Sequence, residues 1–97
     1  MVSKRIIFMG TPKIASVYLK FLIDINHNIV AVYSQPARKK GRGMHMQVSP
    51  VQEIAKKNSI KTLTPTEFFS EIIKKEIEEL YPDLIIVMGY GLKLPQH

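Results

Sequence analysis

Short apolar runs alternate with amphipathic stretches along almost all of this chain, and that alternation constrains the fold more than any other feature. Arg5 to Met9 reads Arg-Ile-Ile-Phe-Met and stops at Gly10. Ile29 to Tyr33, Ile60 to Leu63 and Leu84 to Met88 are three more runs of the same kind. A continuous apolar run bounded by turn residues suits a strand covered on both faces. Between the runs, apolar residues recur at helical spacing. Ile14, Val17, Tyr18, Phe21, Leu22 and Ile25 predict one broad buried helix face. Phe68, Phe69, Ile72, Ile73, Ile77 and Leu80 predict another, opened by Thr64-Pro65-Thr66-Glu67 and closed by Tyr81-Pro82-Asp83. The order is β-α-β-loop-α-β-α-β. It predicts an α/β chain with a parallel sheet and right-handed crossovers.

Local signals mark the helix starts. Thr11 is placed to cap the first helix, with Pro12 in its first turn. Ser49 and Pro50 repeat that pattern before a short helix ending near Lys57-Asn58. Asn26-His27-Asn28 breaks the first helix. His27 sits there on the far side from the strand C-termini, so a structural or solvated role is expected.

Ninety-seven residues make one small domain at most. The chain has no cysteine, which removes disulfides, thiolate nucleophiles and cysteine metal sites. After the basic Met1–Arg5 start only Ile6 to Met9 follow as an apolar run, too short for a signal-peptide core. No stretch approaches the ~20 apolar residues of a membrane helix. A cytoplasmic protein is the expectation. The net charge of +6 points toward an anionic partner.

The charge is concentrated usefully. Between Asp24 and Glu53 there is no acidic residue, and Arg38, Lys39, Lys40 and Arg42 stand around Gly41 and Gly43. Cations on a glycine-hinged loop suit a polyanion whose phosphates the loop must reach. The loop lies between a strand and a helix, where parallel α/β sheets bind ligands. A dinucleotide is a poor fit. The first turn, Gly10-Thr11-Pro12-Lys13, has one glycine, and Pro12 removes an amide donor where a pyrophosphate would need it. The second strand ends Tyr33-Ser34-Gln35, with no carboxylate for a ribose hydroxyl.

Three blocks, in order, carry a resemblance: Phe8-Met9-Gly10-Thr11-Pro12; Gln35-Pro36 with Arg38, Gly41-Arg42-Gly43 and Ser49-Pro50-Val51; and Tyr90-Gly91 with Leu92, Leu94 and Pro95. Together they resemble the N-terminal domain of the methionyl-tRNA formyltransferases, within the wider family of folate-dependent formyltransferases. The resemblance implies a Rossmann-like, three-layer parallel sheet. It implies that residues 1–97 are the N-terminal part of the formyltransferase domain, with the C-terminal tRNA-binding barrel absent. It further implies transfer of a formyl group from 10-formyltetrahydrofolate to the methionine amino group of initiator methionyl-tRNA. Ser34 to Val48 would enter the tRNA acceptor stem, with Arg42 as main reader and Arg38, Lys39 and Lys40 beside it. Met88, Gly89, Tyr90, Gly91, Leu92 and Leu94 would wall the folate pocket, and Gly10, Thr11 and Pro12 would line the substrate cleft. A flat pterin needs apolar walls and an approachable backbone, which glycines at a strand end provide.

The chain departs from the family pattern in two ways. Ala37 replaces a usual Asp, and Lys39-Lys40 replace a Pro-Ala pair, which makes the loop more basic and less rigid. The family's catalytic segment, Asn-x-His-x-Ser-Leu-Leu-Pro, and a later Asp are expected beyond His97. No catalytic residue and no metal ligand is therefore assigned. His45 is expected to meet RNA or water, and His97 matches no motif. The chain alone is expected to be inactive, to bind no folate tightly, and to self-associate through Leu84 to Met88 as an unprotected apolar edge. The alternatives are a formyltransferase acting on a ribonucleotide or sugar nucleotide, and a non-enzymatic tRNA-binding remnant.

Overall fold

The computed structural model describes residues 4–40, 45–65 and 71–91. Within them the order is β1 (Arg5–Gly10), α1 (Lys13–Asp24), β2 (Asn28–Tyr33), β3 (Arg38–Lys40), β4 (His45–Gln47), α2 (Pro50–Lys57), β5 (Thr62–Leu63), α3 (Glu71–Leu80) and β6 (Leu84–Met88). The main sheet has the spatial order β5-β2-β1-β6, and every pairing in it is parallel.

Its strands form because β-branched and aromatic residues fill both faces of the pleat. Side chains alternate along β1, so its neighbours split between two cores. Ile6 and Phe8 pack with Ala15, Leu19, Val51 and Ala55 of α1 and α2. Ile7 and Met9 pack with Ala31, Tyr33, Tyr90 and Ile73 of α3. Helices on both faces make three layers, the Rossmann-like arrangement expected from the sequence. Asp83 fastens the N-terminal ends of β1 and β6. Its carboxylate accepts from the Arg5 N–H at 2.7 Å, and its own N–H donates to the Arg5 carbonyl at 2.7 Å.

The chain moves outward from β1 to β2 to β5, then crosses back to β6 on the other side of β1. The gap between the loops after β1, β2 and β6 is therefore a topological switch point, where open α/β sheets place ligands.

Three expectations need correction. First, the predicted buried face of α1 is not the one that packs. Ile14 is 60% exposed, Val17 56% and Phe21 57%, and Tyr18 and Ile25 are exposed as well; Ala15, Ser16 and Leu19 are buried instead. The helix lies on the sheet through small residues that allow close approach, and Leu22 and Ile23 complete that contact. In α3 the same happens to Ile72, which is exposed while Ile73 is buried.

Second, Thr11 does not cap α1. Pro12 holds the N-cap position, and the helix starts without a side-chain cap. The Thr11 hydroxyl is recruited by tertiary partners. Third, the basic segment is not all loop. β3 and β4 pair antiparallel, with Arg38 opposite Gln47, Lys39 opposite Met46 and Lys40 opposite His45. Gly41, Arg42, Gly43 and Met44, which follow β3 in sequence, lie outside the described residues, as does the proposed start of the last helix at residues 66–70.

The α2 cap behaves as expected. The Ser49 side chain accepts from the Gln52 N–H at 3.0 Å, and Pro50 occupies the first turn. Ser49 Oγ also lies 2.5 Å from the buried Ser34 Oγ, which fixes the start of α2 to the end of β2.

Candidate functional site

A cleft of about 460 Å³ opens at the switch point. Thr11, Pro12 and Lys13 contribute from the β1–α1 turn, Gln35 and Pro36 from the end of β2, and Gly89 from the end of β6. Arg38, Gln47, Ser49 and Pro50 close it from the root of the β3–β4 hairpin and the start of α2. The cleft and the basic hairpin thus share one mouth.

Hydrogen bonds lock the three strand ends together. Thr11 Oγ1 donates to the Tyr90 carbonyl at 2.7 Å and accepts from the Gln35 N–H at 3.2 Å. Gln35 Nε2 donates to the same Tyr90 carbonyl at 3.2 Å. Its Oε1 accepts from Arg38 Nη2. A continuous chain therefore runs from the hairpin (Arg38) through Gln35 to the β6 end (Tyr90) and back to β1 (Thr11). Residues from positions 11, 35, 38 and 90 reach one place because parallel strands bring all their C-terminal ends to the same edge.

Glycine backbone shapes two walls. Gly89 has φ +60°, and a Cβ there would come within 3.0 Å of Pro12 Cγ. Gly91 has φ +90°, and a Cβ there would collide with the Gln35 amide. Left-handed φ and close approach both demand glycine at these positions. Gly10 is tight in another way. It does not line the cleft; a Cβ there would stand 2.8 Å from the Met88 carbonyl oxygen and 2.9 Å from Ala15 Cβ.

The other assigned residues separate. Only Gly89 of the Met88–Gly91 stretch lines the cleft. Met88 turns to an apolar hollow of about 440 Å³ shared with Val17, Tyr18, Phe21 and Ile86. The Tyr90 ring is buried under α3 while its carbonyl serves the cleft. Leu92 and Leu94 lie outside the described residues. Lys39 and Lys40 have their backbone in β3, and Arg38 reaches the cleft. Lys13 and Ser49 are cleft residues that sequence reasoning did not assign to the site, and Gln35 and Gln47 were assigned only as part of the Ser34–Val48 loop, not as cleft residues. The family-independent signal for them was only their position just beyond strand ends or at helix starts.

The cleft lining carries two cations, Lys13 and Arg38, and no carboxylate or histidine among the described residues. Nor do the described residues include a group of three or more His, Asp or Glu placed to hold a metal ion. Two tyrosines beneath the cleft are strongly perturbed. Burial pushes the Tyr90 hydroxyl up to about 12. Burial raises Tyr33 further, with the charge of Glu76 and then the neighbouring Tyr90 adding to it. Both hydroxyls stay protonated at neutral pH and serve as packed, polar parts of the core.

The chain matches the Formyl transferase family over residues 4–97. It is 46% identical over 92 residues to a methionyl-tRNA formyltransferase of Pseudomonas fluorescens (strain Pf0-1), covering 95% of this chain and 29% of that protein. It is 45% identical over 92 residues to the methionyl-tRNA formyltransferase of Pseudomonas syringae pv. tomato (strain ATCC BAA-871 / DC3000), with the same shares. With the one from Ectopseudomonas mendocina (strain ymp) it shares 43% over 94 residues, covering 97% of this chain and 30% of that protein. The chain thus spans a little under a third of the length of the curated relatives it matches. A match across nearly all of its residues, on a parallel sheet with a cleft at the switch point, shows that the chain belongs to the formyl transferase family.

Proposed function

We propose that this chain is the N-terminal part of the formyltransferase domain of a methionyl-tRNA formyltransferase, working in the cytoplasm. The whole enzyme would move a formyl group from 10-formyltetrahydrofolate to the methionine amino group of initiator methionyl-tRNA. The observation that carries the reading is the continuity of cleft and hairpin: Arg38 belongs to the basic β3 strand and also lines the cleft. The basic segment, with Arg38, Lys39, Lys40 and Arg42, would hold the acceptor stem by its phosphates. Such contacts set register and orientation. The cleft would then receive the reacting end.

The bare backbone at Gly89 suits a flat heterocycle, since a side chain there would fill the space beside Pro12. When bound, the folate would supply the activated formyl group. The residues of this chain would shape and orient its pocket: Thr11 and Gln35 by holding the Tyr90 carbonyl, Pro12 and Gly89 as walls. Formyl transfer also needs a group to stabilise the oxyanion and a group to take the amine proton. The described cleft residues offer neither a carboxylate nor a histidine for the second task. We infer that the 97-residue chain alone does not turn over. Formyl-methionyl-tRNA produced by it above background would refute this.

The outer edge of β6 is unpaired among the described residues, and Leu84, Ile85 and Val87 are exposed along it. We propose a second copy as its partner. Antiparallel self-pairing about Ile86 uses the whole of Leu84–Met88. A two-fold axis there, normal to the sheet, puts both α1 helices on one face with their exposed apolar stripes toward each other. Sedimentation velocity is expected to show a dimer that Ile86→Lys disperses; a monomer at all concentrations would contradict it.

A further inference from the structure

Glu76 is a titratable group to which the preceding reading gives no role. Of the four glutamates of α3, Glu71, Glu78 and Glu79 are exposed, whereas Glu76 turns Oε1 inward, out of reach of solvent. The Tyr33 hydroxyl is equally shut off. We propose that Tyr33 Oη and Glu76 Oε1 hold one buried water between them, and that Glu76, through this bridge, is a positioning residue for the cleft above. The inference needs only the geometry of the strand ends and does not depend on what the cleft binds.

A glutamate kept only for solubility would point outward, as its three neighbours on α3 do. A carboxylate oxygen or a phenol turned into a core is costly unless hydrogen bonds meet it. The cluster around Tyr33 is apolar, with Ile7, Met9, Ala31 and Ile73 buried and Ile77 packed against them. Neither Tyr33 Oη nor Glu76 Oε1 has a hydrogen bond to another described residue. Yet the two bear on each other. The charge of Glu76 helps to hold the proton on the Tyr33 hydroxyl, and Tyr90 adds to it. Two buried oxygens that interact without a direct bond suit a single bridging water, which accepts from the phenol and donates to the carboxylate. The bridge lies where it matters to the cleft. Tyr33 ends β2 two residues before Gln35, and Tyr90 of the same cluster carries the carbonyl that Thr11 and Gln35 hold. Hydrogen bonds at the cleft fix those strand ends from above, and the Tyr33–Glu76 bridge ties them to α3 from below.

Two-dimensional NMR of the isotope-labelled chain tests this. The reporters are the amide of Gln35, whose N–H donates to Thr11 Oγ1, and that of Gly91, which follows the Tyr90 carbonyl. Glu76→Leu removes the acceptor, and Tyr33→Phe removes the hydroxyl while keeping the ring. Each should move both amides in the same direction, with the Gln35 proton going upfield as its hydrogen bond lengthens. The double variant should move them no further than either single, because both changes break one bridge. Glu76→Gln keeps an acceptor oxygen and should return both amides most of the way. A glutamate with a merely structural role on α3 would move its helix neighbours and leave Gln35 and Gly91 in place. Glu76 is only partly buried, so its variants should fold, which far-ultraviolet circular dichroism checks. Water-selective NOE spectra of the parent chain should find a resident water at the Tyr33 ring, lost in Glu76→Leu. Unmoved Gln35 and Gly91 amides in Glu76→Leu, or shifts that add in the double variant, would overturn the positioning role. No resident water at the Tyr33 ring of the parent would overturn the bridge.

Discussion

Thr11→Val should loosen the site by about 2 kcal/mol while keeping the side chain's shape. The hydroxyl makes two bonds that valine cannot: one to the Tyr90 carbonyl at 2.7 Å and one from the Gln35 N–H at 3.2 Å. The two losses differ. The Tyr90 carbonyl keeps Gln35 Nε2 at 3.2 Å, so it forfeits one bond of a pair, about 1 kcal/mol. Gln35 is buried, and its N–H is left without that acceptor; a stranded buried donor costs roughly 1–3 kcal/mol. The added methyl returns a little, since Thr11 is only half-buried. Against a total of roughly 5–15 kcal/mol for a domain, this is a large fraction. Thr11→Ser keeps the hydroxyl and should cost well under about 1 kcal/mol. Urea unfolding followed by circular dichroism reads both, because the chain has no tryptophan to report by fluorescence. A valine variant as stable as the parent, or a serine variant as weak as valine, would refute the assignment of Thr11 as the tie between strand ends.

Gly10→Ala should destabilise by roughly 3 kcal/mol or more, because its Cβ meets the Met88 carbonyl at 2.8 Å and backbone must shift; a chemical midpoint near that of the parent would contradict this. Ser49→Ala should cost about 2 kcal/mol, from the lost α2 cap and the stranded Ser34 hydroxyl, and a double-mutant cycle with Ser34→Ala should show strong coupling. Stability should fall above pH 10. Tyr33 and Tyr90 ionise later in the folded chain than the ordinary value of 10.0, so the folded form holds their protons longer. Their contribution is complete below pH 10 and is lost for Tyr90 between 10 and about 12, at up to about 1.4 kcal/mol per pH unit. Tyr90→Phe should flatten the alkaline limb of a denaturation series, and an unchanged limb would count against the burial of that hydroxyl.

Much of the fold was legible because strands buried on both faces leave continuous apolar runs, as β1 and β2 do; β6 is as apolar a run, although its Leu84, Ile85 and Val87 are exposed. Helix orientation was less legible. α1 carries two apolar stripes, one through Ile14, Val17, Tyr18 and Phe21, the other through Ala15, Leu19, Leu22 and Ile23. Periodicity finds both and cannot rank them. Side-chain size favours the first, whereas close approach to the sheet requires the second. The β3–β4 hairpin left no apolar alternation in Arg-Lys-Lys and His-Met-Gln, so pattern alone gave a loop. Thr11 carried the local signature of a cap, yet its hydroxyl donates to a carbonyl 79 residues away. Lys13 was visible only as one lysine among many; the cleft that it lines exists only once three strand ends meet.

The most direct test of the central claim is a two-dimensional NMR titration of the isotope-labelled chain with an acceptor-stem RNA hairpin of initiator tRNA. Amide shifts should concentrate at Arg38–Lys40, His45–Gln47 and the cleft residues Thr11, Lys13, Gln35 and Gly89. They should fade with rising salt, as phosphate contacts do. Shifts spread evenly over the lysine-bearing surfaces of α2 and α3, with the hairpin and cleft unmoved, would contradict the account.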